Sequence, residues 1–148
     1  MPTTPLLSSP LTAYVLRLHP GDDLRQQLAA TVQTLGVQAG AVLTCVGSLT
    51  TVVLRLANHD HATTYHGYFE IVSLVGTLSV HGSHLHIAVA DTTGRTVGGH
   101  LLDGSVVYTT AELVLGVLPA LAFRREQDAI STYHELAVYS VDVAPEKP

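Results

Sequence analysis

One stretch of the chain places its hydrophobic residues at helical spacing. They recur every three or four positions and would therefore share one side of a helix. These residues are Leu24, Leu28, Val32 and Leu35. The sequence Pro-Gly-Asp precedes them and a glycine follows, and such residues are common where helices begin and end. The pattern predicts one principal helix over about residues 22–35.

Before and after this helix the pattern is that of strands. Short β-branched runs are separated by Gly, Asp and Asn, and several alternate apolar with polar residues. The runs are TAYVLRLH, AGAVLTCVGSL, TTVVLRLAN, FEIVSLVGTLSV, HLHIAVAD, TVGGHLL, SVVYTTAELVLGVL, ALAFRRE and ISTYHELAVYS. The segment NHDHATTYHG is polar and is typical of a loop. We predict an α+β domain, a mostly antiparallel sheet with one helix.

The ends of the 148-residue chain differ from the rest in composition. Residues 1–12 and 141–148 are rich in proline, and we expect a flexible arm and a flexible tail there, flanking a folded domain over 13–140. The first ten residues resemble no signal peptide, and the longest apolar stretch, 113–123, is too short for a membrane helix. With a single cysteine, Cys45, the chain cannot form an internal disulfide. We expect a cytoplasmic protein that does not enter membranes.

Composition and charge bear on partners. Hydrophobic residues make up 47% of the chain and charged residues 13%, so some apolar surface should be hidden between subunits of a homo-oligomer. The formal net charge of −5 gives no basic footprint for phosphates, which argues against strong DNA binding by this chain alone.

The segment HGSHLHIAVAD contains three histidines that are candidates for a functional site. In a strand, His84 and His86 would share one face, and the apolar residues between and after them would share the other. The turn sequence DTTG should fold this strand back as a hairpin. A two-residue loop would leave His100 on the wrong face, so we predict a β-bulge at Gly98–Gly99 that brings it opposite His86.

Three converging imidazoles suit a divalent transition metal such as zinc, with a coordination position left open. Glu70 and Glu112 lie in apolar strands and are candidates for the open position, for contact with the ligands, or for acid–base catalysis. The alternative is that these histidines are structural. His81 is a weaker fourth ligand candidate, and the histidines in NHDHATTYHG should face solvent.

The chain resembles the plants-and-prokaryotes conserved (PPC) domain family over about residues 13–137. The resemblance rests on LRLHPGDDL, VGSL, GYFEIVSLVGTLS, HLHIAVAD, GGHLLDG, TAELVL and FRREQD, in this order. It implies a compact α+β fold and a homotrimer of the stand-alone prokaryotic type. Such members look like metal-containing proteins whose ligands match His84, His86 and His100. In plants the domain follows AT-hooks, and this chain has no RGRP-like segment.

Two functions fit this resemblance. The first is a non-enzymatic regulatory protein that carries a metal site, labelled DNA-binding as its family is, and able to sense a small-molecule ligand. The alternative is a metal-dependent lyase or hydrolase acting on a small oxoacid, because the fold is similar to that of acetolactate decarboxylase. Arg124 would then hold a carboxylate, although an ion pair with Glu126 or Asp128 is the simpler expectation.

Overall fold

A computed structural model describes residues 6–141 as eight strands and one helix. The predicted arm and tail lie partly outside these residues, and β1 begins within the predicted arm. The elements in chain order are β1 (Thr12–Leu18), α1 (Leu24–Leu35), β2 (Gly40–Arg55), β3 (Ala62–Leu78), β4 (His84–Ala90), β5 (Thr96–Leu101), β6 (Val106–Val117), β7 (Leu121–Gln127) and β8 (His134–Ser140). The predicted fold class is confirmed: the sheet is antiparallel and carries one principal helix.

The helix forms where the hydrophobic spacing predicts it. Asp23 caps its N-terminus by accepting a hydrogen bond from the backbone N–H of Gln26, and Gly36 ends it in the left-handed conformation at φ 63°. Leu24 and Leu28 are buried against the sheet, whereas Leu35, at the end of the predicted stripe, is 41% exposed. Within residues 6–141 no helix is long and apolar enough to span a bilayer.

Six strands form one sheet in the order β1-β6-β2-β3-β4-β5, and β7 pairs with β8 in a separate hairpin. The end of β2 also pairs with β5, through Leu54 with Leu101 and Arg55 with His100. Strands β2, β3, β4 and β5 therefore close into a ring. This closure places residues that are distant in sequence side by side.

The two strands predicted around Gly47 form one strand of 16 residues. Gly47 is not a turn. It lets β6 approach closely, because a Cβ at this position would collide with the carbonyl oxygen of Thr110 and lie 2.7 Å from Cα of Ala111. The loop predicted over NHDHATTYHG is also shorter than expected, because β3 begins at Ala62 and His66 pairs with Thr51.

The core lies between the helix and one face of the sheet. Its largest fully buried side chains are Leu24, Leu28, Leu49, Leu54, Leu78, Leu101, Leu113, Leu115, Val32, Val52, Val89 and Val107. Burying side chains of this size contributes roughly 1.5–3 kcal/mol each before conformational entropy is counted. The Cys45 thiol is part of this core, and burial raises its pKa to about 12, which makes it unsuited to act as a nucleophile.

Candidate metal centre

Strand β4 alternates as its sequence predicts. Leu85, Ile87 and Val89 are at most 3% exposed and fill the core, which directs His84 and His86 to the opposite face. The hydrophobic demand of the core thus fixes the direction of both imidazoles without any contribution from a ligand.

The third histidine arrives from β5, but not by the predicted route. His86 pairs with His100, and the register runs without interruption through Gly98 and Gly99 to Thr96. The predicted bulge at this glycine pair is therefore wrong. The extra residue lies in the turn itself.

That turn has three residues instead of two. The backbone N–H of Asp91 donates to the carbonyl of Arg95, and the N–H of Gly94 donates back to the carbonyl of Asp91. Gly94 has a φ of 81°, which is typical of a three-residue hairpin that ends in a left-handed residue. The turn adds the one residue that brings His100 opposite His86.

The three imidazoles converge as predicted. One potential ligand nitrogen from each of His84, His86 and His100 lies within 4.8 Å of the others, and no other such group of three occurs within residues 6–141. The Nε2 atoms of His84 and His86 are 3.1 Å apart, and the ring centroids are separated by 4.8–5.7 Å. Nitrogen atoms this close can share one ion after small side-chain rotations.

The surroundings of His84 and His100 favour the neutral form of these two rings. Burial lowers the pKa of His100 to about 4, with further lowering by the Arg55 guanidinium and the neighbouring histidines. Burial and then His86 lower the pKa of His84. Metal ligation requires the neutral imidazole, so the surroundings of His84 and His100 favour the form that binds a metal.

One polar atom of the cluster lacks a hydrogen-bond partner within residues 6–141, which also fits a bound metal. The Nδ1 atom of His100 is buried and has no hydrogen-bond partner within the part of the chain that the structure describes. Buried polar atoms without partners are uncommon in folded proteins. An imidazole-only set suits zinc, nickel or iron, so the residues present fit a transition metal without selecting one.

The two glutamates proposed at the sequence level are not brought to the histidines. Glu70 pairs with Ser48 and with Ala90, at the end of β4 far from the cluster. Glu112 pairs with Val46 of β2, across the sheet from β4. Both carboxylates are exposed, so water solvates them and they need neither a metal nor a buried partner.

Arg124 lies apart from the cluster as well. Its guanidinium donates to the side-chain oxygen of Gln38 at 3.4 Å and to the carbonyl of Phe123 at 3.1 Å. Within residues 6–141 it forms neither of the expected ion pairs, with Glu126 or with Asp128. His81, the candidate fourth ligand, instead has its Nε2 atom 3.1 Å from the same Gln38 oxygen.

Two open clefts flank the cluster and contain residues that sequence reasoning missed. The larger, about 970 Å³, is lined by residues that include Arg55, His86, His100 and Tyr133. The smaller, about 550 Å³, contains Glu135 beside His84 and His100. No local motif points to Arg55 or Glu135, because ring closure and the β7–β8 hairpin bring them there.

Comparisons with known proteins place the chain in a family. Residues 7–119 match the Plants and Prokaryotes Conserved (PCC) domain, the family abbreviated PPC above. The bifunctional protein GlmU of Synechococcus sp. (strain JA-3-3Ab) is 43% identical over 97% of this chain, and AT-hook motif nuclear-localized protein 8 of Arabidopsis thaliana is 29% identical over 81%. The chain spans only 23% and 33% of the length of these relatives.

Solved structures share the fold. A hypothetical protein from Salmonella is 47% identical with a TM-score of 0.89, and the match covers 90% of this chain and 97% of that one. A metal-containing protein from Archaeoglobus fulgidus is 21% identical with a TM-score of 0.77, covering 90% and 99%. A Bacteroides thetaiotaomicron protein with a proposed DNA-binding role is 18% identical with a TM-score of 0.73, also covering 90% and 99%. The family resemblance noted in the sequence is confirmed: this chain belongs to the Plants and Prokaryotes Conserved domain family.

Proposed function

We propose that this chain is a metal-binding member of its family, in which His84, His86 and His100 hold one divalent transition metal, with zinc as the first candidate. The observation that carries the proposal is the convergence of three imidazoles on one face of two paired strands. A metal so held supplies positive charge and an open position for a small ligand. The role that fits best is regulatory, with the metal serving structure or ligand sensing.

The metal in the Archaeoglobus protein supports this proposal through the shared fold. Stronger support comes from the chain itself. The core side chains of β4 and the three-residue turn orient all three rings before any ion binds, which lowers the entropic cost of assembling the site.

Elemental analysis tests the proposal directly. Protein purified without a histidine tag should contain about one metal per chain, and the His86→Ala variant should lose it, because two imidazoles bind far more weakly than three. His61→Ala is the matched control and should retain the metal. Equal metal content in wild type and His86→Ala would remove these residues as ligands.

DNA binding is a second candidate, favoured by the role proposed for the Bacteroides protein of the same fold. The net charge of −5 opposes it, since affinity for DNA depends on neutralising phosphates. A gel shift at physiological salt with a panel of duplexes tests this role. Retardation at micromolar protein would support it, and free duplex throughout would contradict it.

Catalysis on a small oxoacid is a third candidate, and the position of Glu135 favours it. This carboxylate lines the smaller cleft with His84, and its Oε1 atom accepts a hydrogen bond from Ser131. It could act as the acid or base that Glu70 and Glu112 are too distant to provide. If the wild type turns over a small oxoacid and Glu135→Gln does not, with metal content unchanged, the result would distinguish catalysis from ligand sensing.

We also propose the homotrimer that the family resemblance implies. One face of the sheet exposes apolar side chains that a monomer would leave in water: Val15, Leu43, Val46, Val72 and Val75. Native mass spectrometry should give three times the 15.7 kDa mass of the chain. Val46→Asp should dissociate the assembly, Thr93→Asp in the exposed turn should not, and a monomeric wild type would contradict the proposal.

A further inference from the structure

We propose that Arg55 and the histidine cluster together form a binding site for a small carboxylate, which Arg55 recognises. The proposal rests on the metal site proposed above and specifies the ligand class of that site. It arises from the closure of the ring of strands, which sets one guanidinium beside three imidazoles.

The register of three adjacent strands carries the argument. Arg55 of β2 pairs directly with His100 of β5, and His100 pairs directly with His86 of β4. Directly paired residues of antiparallel strands lie on the same face, with Cβ atoms about 4.5–5.5 Å apart. Arg55, His100 and His86 therefore form one continuous row across the sheet.

Arg55 is also free to bind a ligand. Most arginines of the described chain donate to neighbours: Arg17 to Thr110, Arg25 to Asp103, Arg124 to Gln38 and Arg125 to Thr77. Within residues 6–141, Arg55 and Arg95 have no side-chain hydrogen bond or salt bridge. Only Arg55 of these two lines the clefts beside the cluster.

The clefts give such a ligand room. Arg55, His100 and Tyr133 line both of them, and the larger, of about 970 Å³, also includes Gly98 and Gly99. Gly98 lies on the same face of β5 as His100 and adds no side chain beside the row. The volume is sufficient for a small organic acid, since ligand pockets usually measure about 300–1,000 Å³.

The chemistry of the row selects a carboxylate. A guanidinium binds a carboxylate through two parallel N–H···O bonds. A metal held by the imidazoles would bind an oxygen at the other end of the ligand. The acidic residues that line the clefts already have partners, since Asp60 lies 3.1 Å from the His61 ring and Glu135 accepts from Ser131.

Calorimetric titration of the zinc-loaded protein with malonate tests the proposal. Arg55→Gln should weaken malonate binding about tenfold or more, because a charge-assisted hydrogen-bonding pair is lost. Arg55→Lys keeps the charge but not the planar fork and should give an intermediate affinity. Arg95→Gln is the matched control: it removes the same charge from another unpartnered arginine and should bind malonate as the wild type does.

The outcomes separate the two proposals. Zinc content, measured on the same samples, should be equal in the wild type and all arginine variants, and circular dichroism should show the same fold. If zinc is held and Arg55→Gln binds malonate like wild type, or if neutral malonamide binds as well as malonate, the carboxylate site is refuted while the metal site stands. If the His86→Ala variant holds as much zinc as wild type, the metal site fails and the carboxylate site fails with it.

Discussion

Two segments of this chain carry histidines two residues apart, and they differ in what the fold does with them. In the loop before β3, the rings of His59 and His61 lie 4.9 Å apart, and His61 contacts Asp60. In β4, His84 and His86 are just as close, at 4.8 Å. Only the pair in β4 acquires a third nitrogen donor, from His100 on the adjacent strand.

The comparison shows that spacing along the chain does not by itself bring three imidazoles together. Both pairs have the same spacing, but β4 is fixed by three buried side chains and β5 pairs with it in register. The nearest later histidine after the loop pair, His66, sits on β3 with its Nδ1 atom 3.4 Å from the Thr51 hydroxyl and joins no cluster. The register of the neighbouring strand decides whether a third histidine joins the pair.

The largest expected effect comes from removing the third histidine, which distinguishes the pair in β4 from the pair in the loop. His100→Ala should lower zinc affinity roughly 100-fold or more, because removing a direct ligand should cost at least as much as removing a residue that supports one. His59→Ala should leave affinity unchanged. Competition with a chromophoric chelator measures both, and equal affinities for the two variants would show that the strand site has no special status.

A smaller effect tests the strand geometry behind the site. A Cβ at Gly99 would lie 2.8 Å from the carbonyl oxygen of Arg55, so Gly99→Ala must push β5 away from β2. We expect a loss of about 1–3 kcal/mol in the free energy of unfolding by urea, together with weaker zinc binding. Thr96→Ala, an exposed change on the same strand, is the control. If Gly99→Ala is as stable as the wild type, the close contact with Arg55 does not limit the pairing of β5 with β2.

The smallest expected effect is on the pH dependence of folding stability. The pKa of His100 is lowered to about 4 in the fold against an ordinary value near 6.5, so the unfolded chain binds its proton at higher pH than the folded chain does. Stability of the metal-free protein should therefore fall as pH decreases from about 6.5 towards 4. Partial exposure screens the effect, and we expect about 1 kcal/mol or less.

Urea unfolding at several pH values with a chelator present measures this dependence. His100→Gln should flatten the part of the curve between pH 4 and 6.5, because the lowered group is gone. A nuclear magnetic resonance titration should place the His100 ring below the ordinary range. A His100 resonance that titrates near 6.5 in the metal-free protein would contradict the cause assigned to its surroundings.

Local patterns predicted much of this fold. The helix spacing, its glycine stop and the two faces of β4 each depend on residues close in sequence, and the structure confirms them. The convergence of His84, His86 and His100 also followed from alternation and hairpin pairing. The route was wrong, because Gly98–Gly99 and the turn could each supply the extra residue, and only the left-handed Gly94 shows which one does.

Other features lay beyond local patterns. Glycine at position 47 looks the same in sequence whether it makes a turn or permits β6 to approach, and the partner strand decides which. Glu70 and Glu112 were expected in apolar surroundings, but one face of this sheet is exposed along much of its length. Arg55 reaches the site only because β2 and β5 close the ring, a contact between positions far apart in the chain.

The most direct test of the central claim is anomalous X-ray scattering from crystals of untagged protein, recorded above and below the zinc absorption edge. We predict one strong anomalous peak per chain, within bonding distance of a ring nitrogen of each of His84, His86 and His100. Anomalous density located instead beside His59 and His61, or no density between the three rings in protein that contains zinc, would contradict the account.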